Sequence, residues 1–123
     1  MKIKLFAAVL LAVCPLGAAY AMNVATFLAK ADALEKKGMM ALFSSDYKAL
    51  KAEAEAAGGQ LRAERLAAQK AGRKPAYCPT TKPDMVSAKE LLAHLRAIPP
   101  AQRVRIQLKD GMRSLLARKY PCR

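Results

Sequence analysis

Ser87-Ala88-Lys89-Glu90-Leu91-Leu92-Ala93-His94-Leu95 is the stretch that decides the fold class. A serine followed three residues later by glutamate satisfies two free amide donors at a helix start. The serine oxygen takes the glutamate N–H and the carboxylate takes the serine N–H. Leu91, Leu92 and Leu95 then recur at the spacing that gathers apolar side chains on one helix face. Ile98-Pro99-Pro100 ends the segment, because the residue before a proline is pushed out of helical backbone. Pro100 is itself suited to an early position in a following helix.

Toward the C terminus the helical period continues. Val104, Leu108, Met112 and Leu115 predict a helix over about Pro100 to Lys119, with these four on its buried side. Val104, Ile106 and Leu108 also alternate with polar residues as a strand would, but the length and the continuation to Leu115 favour helix. Beside this stripe, Arg105, Lys109 and Arg113 lie four apart. Unpaired like charges at that spacing repel by roughly a few tenths of a kcal/mol per pair. A cost without local return makes these three, with Arg103, the candidate partner-binding surface. The competing reading is that their stems lie over the apolar stripe while the charges stay in water.

Toward the N terminus, Gly72 to Pro83 carries Pro75, Cys78, Pro79 and Pro83 and reads as a basic, irregular connector. Before it, Ser45 to about Ala71 predicts a long helix with Tyr47, Leu50, Ala54, Ala57, Leu61 and Leu66 as its apolar stripe. Ser44-Ser45-Asp46 supplies the cap chemistry. Gly58-Gly59 lies inside, and two glycines cost about 2 kcal/mol of helix propensity against alanine, so the pair marks a kink or a break. Val24 to Lys37 predicts another helix, with Phe27, Leu28, Ala31 and Leu34 on one face and an Asp32–Lys36 pair on its surface. Gly38 stops it. Met39, Met40, Leu42 and Phe43 follow as an apolar knot, read as core packing rather than as a copper site. The expectation is an all-α domain of about four helices over residues 22 to 123.

The first 21 residues have a different character. Lys2 and Lys4 lead into the apolar run Leu5 to Leu16, which Pro15 and Gly17 interrupt, and Ala19-Tyr20-Ala21 follows. This order predicts a secretory signal peptide cleaved before Met22, and hence a periplasmic or secreted protein. A retained anchor would need about 20 apolar residues. A lipidated Cys14 would need a small residue where Val13 stands.

Removing that segment leaves Cys78 and Cys122, an even number in a compartment where disulfides persist, so the two are expected to be bonded. With His94 they are too few ligands for structural zinc. No metal or cofactor is expected.

Charge is uneven. Met22 to Gly72 holds 8 Lys/Arg against 6 Asp/Glu, whereas Arg73 to Arg123 holds 12 against 3. In a cytoplasmic protein such a bias would suggest nucleic acid. Export takes that partner out of reach, leaving anionic lipid, cell-wall polymer or an acidic protein surface. Catalytic patterns are missing: His94 stands alone in a helix and reads as a surface or rim residue, and the cysteines are consumed by their bond. Glu53 and Glu55 point to different helix faces. These features indicate a binding protein rather than an enzyme.

Residues 77 to 122 carry Tyr77-Cys78-Pro79, a helix opening at Ser87, the Leu91-Leu92-Leu95 run, a turn from Pro99 to Arg103 and the closing Tyr120-Pro121-Cys122. Together these resemble the C-terminal half of the Rap/Tai immunity proteins, small exported helical proteins of bacteria with disulfides. The resemblance implies a Cys78–Cys122 bond. It also implies a role in binding and blocking peptidoglycan amidases delivered by type VI secretion. The extra cysteines and Gly/Tyr-rich segment common in that family are not found between Met22 and Tyr77, so no inhibitory residue is carried over. Two classes follow: an interaction module of immunity type that occludes a secreted cell-wall hydrolase, and a basic envelope protein that holds anionic lipid or polymer. A homodimer is compatible with both.

Overall fold

In the computed structural model the described residues are 22–80 and 86–123. The expected signal segment with Cys14, and Thr81, Lys82 and Pro83 of the connector, lie outside them. Within them every regular element is helical. The order is α1 (Val24–Lys36), a 3-10 helix (Gly38–Phe43), α2 (Ser45–Lys70), α3 (Ala88–Arg96), the single turn α4 (Pro100–Arg103) and α5 (Leu108–Lys119).

The starts of α1, α2 and α3 have local causes. The Asn23 side chain accepts from the Thr26 N–H at 2.8 Å, and Ser44 Oγ from the Asp46 N–H at 3.1 Å. At α3 both halves of the expected box are present: Glu90 N–H on Ser87 Oγ and Ser87 N–H on Glu90 Oε2, each 3.1 Å. Gly38 ends α1 with φ +59, the left-handed backbone that side chains with a Cβ resist.

Apolar faces assemble these helices. Val24, Phe27, Leu28, Ala31 and Leu34 are buried along α1, Leu91 and Leu95 along α3, and Leu108 and Leu115 along α5. A second cluster joins Leu61 of α2, Leu116 of α5 and Tyr77 of the connector. α2 stays one helix through Gly58-Gly59. Burial of Leu50, Ala57, Leu61 and Ala68 outweighs the propensity cost of the two glycines. The stripe ends on Ala68 rather than Leu66, which is half exposed.

The last expected helix is divided. Pro100 opens α4, but the helix ends at Arg103, a turn follows, and Gln107 is extended and bridged to Asn23. The Val24 N–H, one of the unsatisfied donors at the start of α1, bonds the Ile106 carbonyl at 2.9 Å. Leu108 N–H bonds the Met22 carbonyl at 2.8 Å. This pairing pulls residues 104–107 out of the helix. Val104, expected inside, is 59% exposed, while Leu108 and Leu115 are buried as expected.

Gly111 lets α5 approach α1 and α3. A Cβ placed there would stand 2.7 Å from Leu95 Cδ2 and 3.3 Å from Val24 Cγ2, both on fully buried side chains. The Cys78–Cys122 disulfide spans 44 residues, and the Cys78 N–H bonds the Tyr120 carbonyl at 2.8 Å. Together they fasten the end of α5 to the connector. No described helix is long and apolar enough to cross a membrane.

Candidate functional site

The segment read as a core knot is on the surface. In the 3-10 helix only Ala41 is buried. Met39 is 80%, Met40 70%, Leu42 52% and Phe43 82% exposed. A six-residue 3-10 helix with side chains nearly in register at every third position cannot turn all of them inward. Its register delivers Ala41 to the core and projects the four large side chains outward. Scattered exposed apolar residues are ordinary, but four in one turn form a patch of the kind that marks an interaction surface.

The patch adjoins a trough of about 1100 Å³. α2 and α3 form its walls and do not pack on each other, while α1 and α5, which do meet, contribute the floor. Leu42 and Tyr47 stand at the 3-10 end, Tyr77 and Val86 at the connector end. Small-molecule sites typically occupy about 300–1,000 Å³, so this is a large concavity for a chain of this size.

The structure does not keep the four basic candidates as one helical stripe. Arg105 lies in the turn between α4 and α5, is exposed and makes no ion pair among the described residues. Lys109 Nζ and Arg113 Nη2 both hold Glu64 of α2, at 2.7 and 2.9 Å, and Arg113 also pairs with Asp110. Their proximity therefore has the structural return that the sequence did not reveal. Glu64 is held below its ordinary carboxylate range, first by the Lys109 hydrogen bond and then by Arg113. Arg103 donates from Nε to the Ile98 carbonyl at 2.8 Å and from Nη2 to the Arg96 carbonyl at 2.7 Å, closing the free carbonyls at the end of α3.

Other cations act likewise. Arg96 of α3 holds both Asp32 and Glu35 of α1, so Asp32 serves this clamp rather than the expected pair with Lys36. Lys119 of α5 holds Glu90 of α3. Solvent screens these exposed pairs, so each stabilises little, but they join helices in a fixed register.

No protein-family model, curated protein or solved structure matches the chain. Function must therefore be argued from the geometry and from the residues that carry the resemblance.

His94 has a neighbour that sequence spacing hid. Its Nε2 lies 2.7 Å from Ser114 Oγ, and that hydroxyl donates to the Gly111 carbonyl at 2.8 Å. With the hydroxyl proton so directed, Nε2 carries the imidazole hydrogen and donates to the serine. A general base would present a lone pair there instead. Nδ1 is buried and finds no hydrogen-bond partner among the described residues, so no third group orients the ring. The arrangement ties α3 to α5. Burial, then the Arg118 charge, lowers the His94 pKa, against an opposing contact to the Gly111 carbonyl.

A lowered histidine pKa means that the folded state binds fewer protons than the unfolded chain as pH falls. Stability from this group is complete above the unfolded value, about 6.5, and declines as pH falls below it. The melting temperature should drop between pH 7 and 5, and His94→Asn should flatten that segment of the profile. Parallel profiles for variant and parent would show that His94 does not carry the effect.

Among the described residues no group of three or more His, Cys, Asp or Glu side chains gathers as a metal site.

Proposed function

We propose that the protein is an exported interaction module of immunity type, whose apolar 3-10 turn and adjoining trough engage a secreted cell-wall hydrolase. The observation that carries this reading is the exposure of Met39, Met40, Leu42 and Phe43 on one short 3-10 helix. Methionine and phenylalanine side chains this exposed contribute little to folding, and their burial against a partner would contribute binding energy. Hot spots of protein interfaces are desolvated apolar anchors of this kind. The resemblance of residues 77 to 122 to the Rap/Tai immunity proteins supplies the partner class, a peptidoglycan amidase. The Cys78–Cys122 bond accords with an oxidising compartment.

The second reading, a basic protein on anionic lipid or polymer, is favoured by the net charge of +13 and by Lys36, Lys37 and Lys48 flanking the same turn. Salt separates the two. Binding by scattered lysines collapses as the screening length shrinks, whereas an interface with an apolar core loses on-rate more than affinity.

The test is Met40→Asp combined with Phe43→Asp, measured for affinity to purified peptidoglycan amidases and for inhibition of them. Both positions are exposed, so the melting temperature is expected to stay within the change of about 0.5 kcal/mol usual for surface substitutions. Binding and inhibition should weaken by at least about tenfold, an effect of 1.4 kcal/mol or more. A parent protein that binds no amidase, or a variant that still inhibits as the parent does, would overturn the reading.

A further inference from the structure

Met39 and Met40 are adjacent, 80% and 70% exposed, and belong to a 3-10 helix in which Ala41 alone is buried. A thioether is an apolar group that a mild two-electron oxidant turns polar. An open sulfur meets that oxidant before one held in a core. Met22 and Met112 are partly buried and packed against the core. Both described cysteines are joined in the disulfide, so no described thiol competes for the oxidant. The consequences for the fold differ as well. A sulfoxide at Met39 or Met40 puts its oxygen in water, whereas one at Met112 would stand against Leu61, Tyr77 and Leu116. Oxidation of the 3-10 helix therefore changes the chemistry of the surface and spares the core.

We propose that Met39 and Met40 are a reversible oxidation site, which switches the 3-10 helix between an apolar and a polar state. The co-reactant is a hydroperoxide. A sulfur lone pair attacks a peroxide oxygen, and the S–O bond forms as the O–O bond breaks. The departing hydroxide takes the proton left on the transferred oxygen and becomes water, so sulfur is oxidised by two electrons and the peroxide is reduced. Sulfoxide reductases reverse the change, two thiols becoming a disulfide while the oxygen leaves as water. A sulfoxide oxygen buried in an apolar interface loses its hydration without gaining a donor, so oxidation releases the partner. That release rests on the hydrolase reading, whereas the site itself does not.

The test exposes the disulfide-bonded protein to hydrogen peroxide in steps, read by peptide mass mapping, retention on a phenyl column and thermal melting. Met39→Leu, Met40→Leu serves as the control, since its apolar side chains resist this oxidant. In the parent, Met39 and Met40 should each gain one oxygen several-fold faster than Met112. At the step where they have reacted and Met112 has not, phenyl retention should shorten far more in the parent than in the control. The melting temperature should move no more in the parent than in the control. Oxidation of Met112 as fast as Met39 and Met40, equal retention shifts in the two proteins, or a melting temperature that falls further in the parent would overturn the proposal. Against a purified amidase, peroxide should lower the affinity of the parent by at least about tenfold and that of the control far less. An oxidised parent that binds the amidase as before would overturn the release. A parent that binds no amidase before oxidation overturns the hydrolase reading, and mass, retention and melting still decide the site.

Discussion

Cys122→Ser is expected to destabilise the protein by about 2–5 kcal/mol, the usual cost of removing a native disulfide from a small secreted domain. For a domain of this size that corresponds to a fall in melting temperature of roughly 10–30 °C. The bond closes a 44-residue loop containing α3, α4 and α5. In the chain-entropy account a loop of that length contributes about 4 kcal/mol by restricting the unfolded state. Cutting it also frees the last residues of α5 from the connector, where the Cys78 N–H meets the Tyr120 carbonyl. Amide exchange should therefore accelerate first around Leu116 to Tyr120. Reduction of the parent protein should reproduce both effects. Coincident melting curves for parent, reduced parent and variant would show that the bond does not support the fold.

How far the fold could be read beforehand depended on how local its causes are. The capping box at Ser87, the cap at Ser44, the stop at Gly38 and the buried face of α1 each rest on residues within four positions of one another. The cysteine pair was legible because only two cysteines follow Ala21. Where the deciding partner is distant in the chain, the reading went astray. Val104 fits the core by its period, because nothing near it signals that Ile106 and Leu108 bond Val24 and Met22. Met39, Met40, Leu42 and Phe43 are as apolar as any core segment, and only the register set by buried Ala41 turns them to solvent. Leu66 fits the stripe by spacing, yet Ala68 continues it.

Charge shows the same limit. The excess of Lys and Arg after Gly72 looked like a surface prepared for a partner, and the close spacing of Lys109 and Arg113 looked like an unrepaid repulsion. Apart from Asp110, which pairs with Arg113 from three residues before it, the carboxylates that answer them lie far upstream. Glu64 meets Lys109 and Arg113, and Asp32 and Glu35 meet Arg96. The asymmetry between the halves is thus partly the means by which α1 and α2 are matched to α3 and α5. Of the candidate cations Arg105 keeps its charge toward solvent, and the proposed interaction surface is instead the exposed apolar 3-10 helix. No periodicity signals a trough, since it arises from two helices that fail to touch.

Tyr77→Ala is expected to cost about 3–5 kcal/mol, the range for truncating a large buried aromatic side chain. Tyr77 is 1% exposed, packs with Leu61 and Leu116, and is covered by the Arg65 guanidinium. It is the residue through which an otherwise irregular connector reaches the core. Tyr77→Phe keeps the ring and should lose no more than about 1.5 kcal/mol, the net worth of an ordinary hydrogen bond. Because Tyr77 and Cys78 are neighbours, the ring and the disulfide hold the same stretch of chain from two sides. Once either is lost the connector is partly released, and removing the other has less left to release. The double variant Tyr77→Ala, Cys122→Ser should therefore be less destabilised than the two single losses predict, with a coupling of about 0.5–3 kcal/mol in urea unfolding. Strict additivity would mean that the disulfide steadies α5 without acting on the Tyr77 cluster, and that the two anchors are independent.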